Sequence, residues 1–467
     1  MIEQTQTIEL SFTHLSLREE LLNSLSSLGY KTMTSIQASS LPTILDLQDV
    51  IAQAKTGSGK TVAFGLSLLN RLNVSNYTVQ ALVLCPTREL AEQVSQVLRQ
   101  LARDIPNVKI LNISGGTPMK WQLDSLKHPA HVVVGTPGRI LKHLNRGSLL
   151  VDNLHTLVLD EADRMLDMGF FDEICGLIKL CPRKRQTLLF SATFPDEIKN
   201  ISTQFMKNPK EIIDNNLEDK LDIEQYFYEA KNKDLKFPLL QTLLQKYQPS
   251  SSIVFCNTKE QTYFLTDELN DNGYSAIALN GDMSQLDREI AIIKFKNESC
   301  CILVATDIAA RGIDVKELPV VINYELAHEY DIHIHRIGRT GRADAQGLVL
   351  NLITPGDKER VRIIEDNSNT TVIKHDSCSL NNSLVKNKIL PQMNTLSLSV
   401  GKKDKIRPGD ILGALTKDAG LPGNMIGKID ITTLKSYVAV HKSKIKSALY
   451  YFDNGRLKGR RVDAKII

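Results

Sequence analysis

Short apolar runs recur through the first three-quarters of the chain, each followed by a polar loop and a stretch with helical spacing. The runs at 50–52, 80–85, 108–113, 131–135 and 156–159 lack the in-and-out alternation of a half-solvated sheet. They predict buried parallel strands joined by crossover helices. A second series at 252–256, 275–279, 301–305 and 320–323 repeats the arrangement. Charged residues with Pro209 and paired asparagines at 208–220, and an Asn/Ser-rich stretch at 367–393, read as linkers. Beyond residue 394 the period changes. Leu396, Leu398 and Val400 share one strand face, and a helix is expected near 408–417. Ile429 with Ile431 and Val438 with Val440 mark two more strands, and Ile445, Ala448, Leu449 and Phe452 form a helical stripe before a last strand at 462–466. The expected organisation is α/β, with two parallel-sheet lobes (1–207 and 221–366) and a small ferredoxin-like β-α-β-β-α-β domain (394–467).

Only the first lobe contains a phosphate-loop pattern, Ala54-Lys55-Thr56-Gly57-Ser58-Gly59-Lys60-Thr61, between strand and helix signals. Gly57 and Gly59 let backbone N–H groups turn toward a triphosphate, and the following helix adds partial positive charge. Lys60 would reach the phosphates, and the Thr61 hydroxyl would hold Mg²⁺. Ala54 stands where a glycine is usual. The loops after later strands read Pro86-Thr87-Arg88-Glu89-Leu90, Gly115-Gly116, Thr136-Pro137-Gly138-Arg139, Asp160-Glu161-Ala162-Asp163 and Ser191-Ala192-Thr193. Asp160 can ligate Mg²⁺ through water, and Glu161 can orient or deprotonate an attacking water. Gln37, upstream of the phosphate loop, has an amide able to read an adenine edge. In the second lobe His335-Arg336-Ile337-Gly338-Arg339-Thr340-Gly341-Arg342 spaces three arginines by three, and one or more could serve as arginine fingers.

Charge adds a further division. The net charge is +4, yet residues 394–467 carry +9, which leaves −5 on the rest. A basic module on a slightly acidic body points to an anionic partner such as nucleic acid. The seven scattered cysteines form no Cys-x-x-Cys, so a zinc or disulfide framework is not expected and a reducing cytoplasm is. No apolar run approaches the ~18 residues of a membrane span, and the start of the chain has no secretory pattern.

Together these motifs, from Phe12 to Arg342, resemble those of the DEAD-box ATP-dependent RNA helicases. The resemblance extends to Phe12 with Gln37, to Gln285 with Arg288, and to Ala310-Arg311-Gly312-Ile313-Asp314. It implies two RecA-like lobes closing on ATP, Mg²⁺ and RNA. Phe12, Gln37, Gly312 and Asp314 would help hold the nucleotide, Asp314 at the ribose, with Arg339 and Arg342 at the γ-phosphate. Catalysis would fall to Lys60, Asp160, Glu161, His335, Arg339 and Arg342, with His335, Ser191 and Thr193 coupling hydrolysis to closure. Arg88, Gly116, Thr136, Arg139, Gln285, Arg288 and Thr306 would hold RNA. The tail, through Gly401-Lys402-Lys403-Asp404-Lys405-Ile406-Arg407-Pro408-Gly409-Asp410-Ile411 and Ser436-Tyr437-Val438, is similar to the RNA-binding domain of the DbpA subfamily. That likeness implies a monomer acting on a 23S ribosomal RNA hairpin in the 50S precursor, during large-subunit assembly. The third strand offers Lys435 and Tyr437 where two exposed aromatics are usual, so stacking is expected to be weak and Lys402, Lys403, Lys405 and Arg407 to bind phosphates. An RNA clamp that rarely unwinds would use the same motifs. A DNA translocase is disfavoured by Pro86-Thr87-Arg88-Glu89-Leu90 and by the tail.

Overall fold

In the computed structural model, residues 11–54, 57–194, 196–214, 223–310, 318–341, 347–368, 372–376 and 388–467 are described. Lys55, Thr56, Gly312, Asp314 and Arg342 lie outside them. Contacts divide the chain into two units, 1–219 and 220–467.

The first unit holds β1 (Val50–Gln53), β2 (Ala81–Leu84), β3 (Ile110–Ile113), β4 (Val132–Gly135), β5 (Thr156–Asp160), β6 (Gln186–Ser191) and β7 (Lys210–Ile213). They form one parallel sheet in the order β3-β4-β2-β5-β6-β1-β7. Four of them, β2, β4, β5 and β6, are buried at every position, as uninterrupted apolar runs require when helices cover both faces. Two apolar clusters fill the two sides. Phe64, Leu98 and Phe190 belong to one, Leu157, Met165 and Leu177 to the other. The stretch expected as a linker from residue 208 begins with β7, whose single buried position, Ile212, suits a sheet edge.

The second unit opens with β8 (Ile223–Glu229), β9 (Ser252–Cys256), β10 (Ala276–Leu279), β11 (Ile302–Thr306), β12 (Val320–Asn323), β13 (Gly347–Ile353) and β14 (Lys374–Asp376), ordered β10-β11-β9-β12-β13-β8-β14. The same unit contains the tail sheet: β15 (Met393–Leu398), β16 (Ile426–Ile431), β17 (Ser436–His441) and β18 (Ala464–Ile466), antiparallel in the order β16-β17-β15-β18. With helices Pro408–Gly413 and Ile445–Asn454 this is the expected β-α-β-β-α-β order. Leu396, Leu398, Val438 and Val440 face those helices with Ile411, Ala448 and Phe452.

The opposite sheet face is not open to water. Thr395 and Tyr437 are fully buried, and Thr395 Oγ1 bonds Ser299 Oγ at 2.7 Å and accepts from Asn297 Nδ2 at 3.2 Å. Glu289, on the lobe helix Gln285–Lys296, lies beside Tyr437; burial first, then this carboxylate, raise the Tyr437 hydroxyl to about 12. The tail is therefore seated on the second lobe by the face that could have stacked bases.

Candidate nucleotide and RNA site

At the carboxyl end of β1 the Ala54 N–H still bonds the Ser191 carbonyl, at 3.0 Å, before the backbone turns. Gly57 and Gly59 have φ of 91° and 97°, in the left-handed region. A Cβ on Gly59 would come 2.4 Å from Gln37 Nε2, so glycine is required there twice over. Helix Lys60–Arg71 starts immediately, its first N–H groups unused by the helix and available to an anion. Lys60 is buried and donates to the Ala54 carbonyl at 2.7 Å. Gln37 is equally engaged: its Oε1 accepts from Thr34 N at 2.9 Å and its Nε2 donates to Gly59 O at 3.1 Å. In this conformation the amide clamps the phosphate loop rather than presenting itself to a base. Phe12 is 3 % exposed and packs in the lobe core with Ile36, so its ring supports this region from within rather than lying open to a nucleotide.

Strand β5 delivers two carboxylates into the same edge. Asp160 is 3 % exposed and Glu161 4 %. Desolvation and the adjacent Glu161 raise Asp160 to about 7, against the pull of Lys60 and Arg164. Glu161 turns the chain with φ 53°, strained for a side chain with a Cβ, and its Oε2 pairs with Arg164 at 2.6 Å. A buried carboxylate that holds its proton this tightly lacks positive charge, and a divalent cation would supply it. The hard oxygens of Asp160 and Thr61 beside a phosphate cradle fit Mg²⁺, which uses few protein ligands and keeps its waters. Among the described residues no group of three or more His, Cys, Asp or Glu side chains is placed to hold a metal ion.

Two residues outside the expected set tie the site together. Asp163 Oδ2 accepts from Ala192 N and Thr193 N, both at 3.0 Å, and from Thr193 Oγ1 at 3.3 Å. Its own N–H bonds Ser191 Oγ at 3.1 Å. Ser191 thereby touches β1 through its carbonyl and the carboxylate loop through its hydroxyl. Arg164 holds Glu161. Their signal in the sequence was only membership of the Asp160–Asp163 loop and the residue after it.

The other loops of the first lobe gather at the same strand ends. Arg88, at the start of helix Arg88–Leu101, lies against Gly115, where a Cβ would meet its guanidinium at 3.0 Å. Gly116 is exposed with φ 80°. Thr136 opens helix Pro137–Asn145. Arg139 joins two loops by donating to Thr117 O at 3.0 Å and Gln122 Oε1 at 2.8 Å. Arg88, Gly116, Thr136 and Arg139 thus form a partly exposed rim.

In the second unit Thr306 ends β11, Gln285 opens helix Gln285–Lys296, and Arg288 leans on the carbonyls of Asn280 and Ala309 at 3.4 and 3.5 Å. The arginines spaced by three are not equivalent. Arg336 is 1 % exposed; it pairs with both Asp307 oxygens at 2.6 and 2.7 Å and donates to Asn323, Glu325 O and Asn257. It is a structural post and drops out as a finger. His335 is half-buried on helix Tyr330–Ile337, and Arg339 follows that helix.

In the tail, Lys402 and Lys403 sit in a short turn, Lys405 has φ 59°, and Arg407 caps helix Pro408–Gly413. Lys402, Lys405 and Arg407 line a recess of about 540 Å³ with Ile406, Asp410 and Lys458. Lys458 bonds Asp410 at 2.7 Å and the Lys405 carbonyl at 2.9 Å, and Arg460 pairs with Asp404 at 2.7 Å. Gly401 brings the loop within 2.6 Å, for a notional Cβ, of the Thr432 carbonyl, so no larger residue fits without moving backbone. The segment carrying Lys458 and Arg460 belongs to this basic rim and was missed in the sequence.

Comparison with known proteins agrees with this geometry. Residues 34–201 match the DEAD/DEAH box helicase family, 235–344 the helicase conserved C-terminal domain, and 395–466 the DbpA RNA binding domain. The chain is 48 % identical to the ATP-dependent RNA helicase DbpA of Escherichia coli over 96 % of its own length and 97 % of that protein. Identity to the Bacillus subtilis protein of the same name is 36 %, over 97 % and 98 %. A solved structure of Saccharomyces cerevisiae Dbp5 bound to RNA and ADP BeF3 shares 29 % identity and a TM-score of 0.70, covering 79 % of this chain and 96 % of that one. A phosphate loop with paired carboxylates on a RecA-like lobe defines a nucleotide-hydrolysing class. Within it the chain belongs to the DEAD-box ATP-dependent RNA helicases of the DbpA type.

Proposed function

We propose that the chain uses ATP and Mg²⁺ to open structured RNA locally, acting as a cytoplasmic monomer on a 23S rRNA hairpin in the 50S precursor during ribosome assembly. The observation that carries the hairpin reading is the basic recess of the tail. With Thr395 and Tyr437 covered, the sheet face is closed to bases, and Lys402, Lys405, Arg407 and Lys458 rim the surface left for RNA. A rim of phosphate-binding cations reads a folded hairpin by shape.

The chemistry divides as follows. Gly57, Ser58, Gly59 and Lys60, with Ala54, Lys55 and Thr56, hold the phosphates. Thr61 and Asp160 would hold Mg²⁺, which when bound would supply positive charge against the phosphates. Glu161, steered by Arg164, positions the attacking water. Arg339 and Arg342 complete charge neutralisation at the γ-phosphate, while Gly312 and Asp314 hold the nucleotide and His335 links it to the RNA grip. Asp163 ties Ser191 and Thr193 to the carboxylate loop, so movement at the phosphates reaches the loops that hold RNA. Arg88, Gly116, Thr136 and Arg139 in one lobe and Gln285, Arg288 and Thr306 in the other grip the backbone.

Stimulation of ATP hydrolysis by a 23S rRNA hairpin, a blunt duplex without a loop and unstructured RNA provides the test. The 23S hairpin is expected to stimulate most, and substitution of Lys402, Lys405 and Arg407 by glutamine should level the ranking. Equal stimulation by all three RNAs in the parental chain would remove the hairpin assignment.

A further inference from the structure

The first lobe carries a second charged surface at the edge away from its own motif loops. A cleft of about 1300 Å³ lies where the chain enters β1, β6 and β7, at the amino ends of the strands. The motif loops leave the carboxyl ends, which a strand of four to six residues places roughly 13–20 Å away. Arg71, Lys179, Arg183, Lys184, Arg185 and Lys207 line this cleft, with Asp49 as the one carboxylate. Asp49 is already spent, accepting from the backbone N–H groups of Thr187 and Lys207, both at 2.7 Å. Among the described residues none of the six cations makes a salt bridge. In a body whose net charge is −5 outside the tail, this concentration is not a matter of composition.

The floor of the cleft is built rather than merely lined. Arg185 is fixed by bonds from its guanidinium to the carbonyls of Pro182 at 2.7 Å and Phe205 at 3.4 Å, yet its buried Nε has no partner among the described residues. Next to it Gln186 is held by two bonds from Nε2 to Ile44 O and Gln48 O, both 2.8 Å, and its buried Oε1 also lacks a partner. Two consecutive lining residues thus each keep one buried polar atom without a partner among the described residues, which costs stability.

We propose that this cleft is a second RNA-backbone site, holding a helical arm of the same structured RNA whose hairpin the tail reads. RNA backbone supplies what the exposed cations lack, a regular row of phosphates, and its 2′-hydroxyls add hydrogen bonds at the accessible rim. An acidic protein segment would meet the charge but offers no hydroxyl at each repeat. The inference rests on RNA being the substrate, and goes beyond it by adding a site outside the helicase motifs.

The test uses the full chain with Lys179, Arg183, Lys184 and Lys207 changed to glutamine. All four are exposed, so the fold should persist, checked by an unchanged melting temperature. Binding is followed by anisotropy against salt for a 23S hairpin alone and for the same hairpin carrying a duplex arm of about 20 base pairs. The parental chain should bind the armed RNA about ten-fold or more tightly than the hairpin alone, with a log–log salt slope steeper by about two to four. The variant should lose that gain while keeping its affinity for the hairpin and its hairpin-stimulated ATP hydrolysis. A DNA arm should yield less than an RNA arm. A parental chain that gains nothing from the arm, gains equally from DNA, or gains as much after the substitutions overturns this site alone. A parental chain that binds neither RNA overturns the hairpin reading and this one together.

Discussion

Asp160 holds a proton more tightly in the folded chain than an ordinary carboxyl does, and the sign of that shift makes a prediction. Its folded pKa is about 7 against an ordinary 3.8. Stability from the bound proton is therefore full below about pH 4 and is lost as pH rises through about 7. Without nucleotide, Asp160→Asn should melt higher than the parental chain at pH 8, by an amount equivalent to a few kcal/mol, and the two should converge near pH 4. Parental and variant melting together at pH 8 would remove the assignment. At the next residue the outcome differs, because Glu161 is tied to Arg164 and has the proposed role of positioning water. Glu161→Gln should retain ATP binding and lose turnover by about 10²-fold or more, whereas Lys60→Ala should lose binding itself. Fluorescent-nucleotide titration beside steady-state hydrolysis separates them. Arg336 and Arg339 show where spacing misleads. Both follow from the same three-residue interval, but the partner that buries Arg336 is Asp307, 29 residues earlier, and local periodicity carries no record of it. Arg336→Ala leaves the half-buried Asp307 carboxylate unpaired and strips a partner from each of Asn323, Asn257 and the Glu325 carbonyl, and should destabilise the second unit by about 3 kcal/mol. Arg339→Ala should keep the fold and nucleotide affinity and reduce kcat.

Single elements were largely legible where one physical rule decides them. Uninterrupted apolar runs gave the buried parallel strands, and alternation in the tail gave the inner faces Leu396, Leu398, Val438 and Val440. What alternation cannot say is what covers the other face. Lys435 and Tyr437 read as solvent-facing, and Tyr437 is 1 % exposed because a helix from another domain lies on it. Strand β7 was hidden for a related reason: an edge strand needs only one apolar position, and Ile212 alone does not make a pattern. Asp163 was visible as a letter but not as a hub, since its three acceptor contacts reach 29 and 30 residues along the chain. Its replacement by alanine should release the Ser191–Thr193 loop, and RNA-stimulated hydrolysis should fall more than ATP binding does. Tyr437→Ala should lower the melting temperature by the equivalent of about 3 kcal/mol, a value typical of emptying a buried aromatic site, with little direct effect on a stacked base.

For the chain as a whole, removing residues 394–467 has two consequences. Hydrolysis of ATP without RNA should persist, since the phosphate loop and its carboxylates lie in the first unit, while discrimination among RNAs should vanish. The cut also uncovers the part of the second lobe around Glu289, Asn297 and Ser299 and removes the bonds Thr395 makes there, so the truncated protein should unfold at lower temperature. Calorimetry on the truncated chain measures this. A tail held only by a flexible segment would act through local concentration, and lengthening that segment would merely dilute it. A tail seated through Thr395 and Tyr437 behaves instead as a bracket bolted to the second lobe. Whatever RNA it grasps is aimed along a bearing fixed relative to that lobe. Inserting residues into the stretch before 388 should then change little, whereas a substitution that unseats Thr395 should leave the hairpin bound but pointing nowhere in particular.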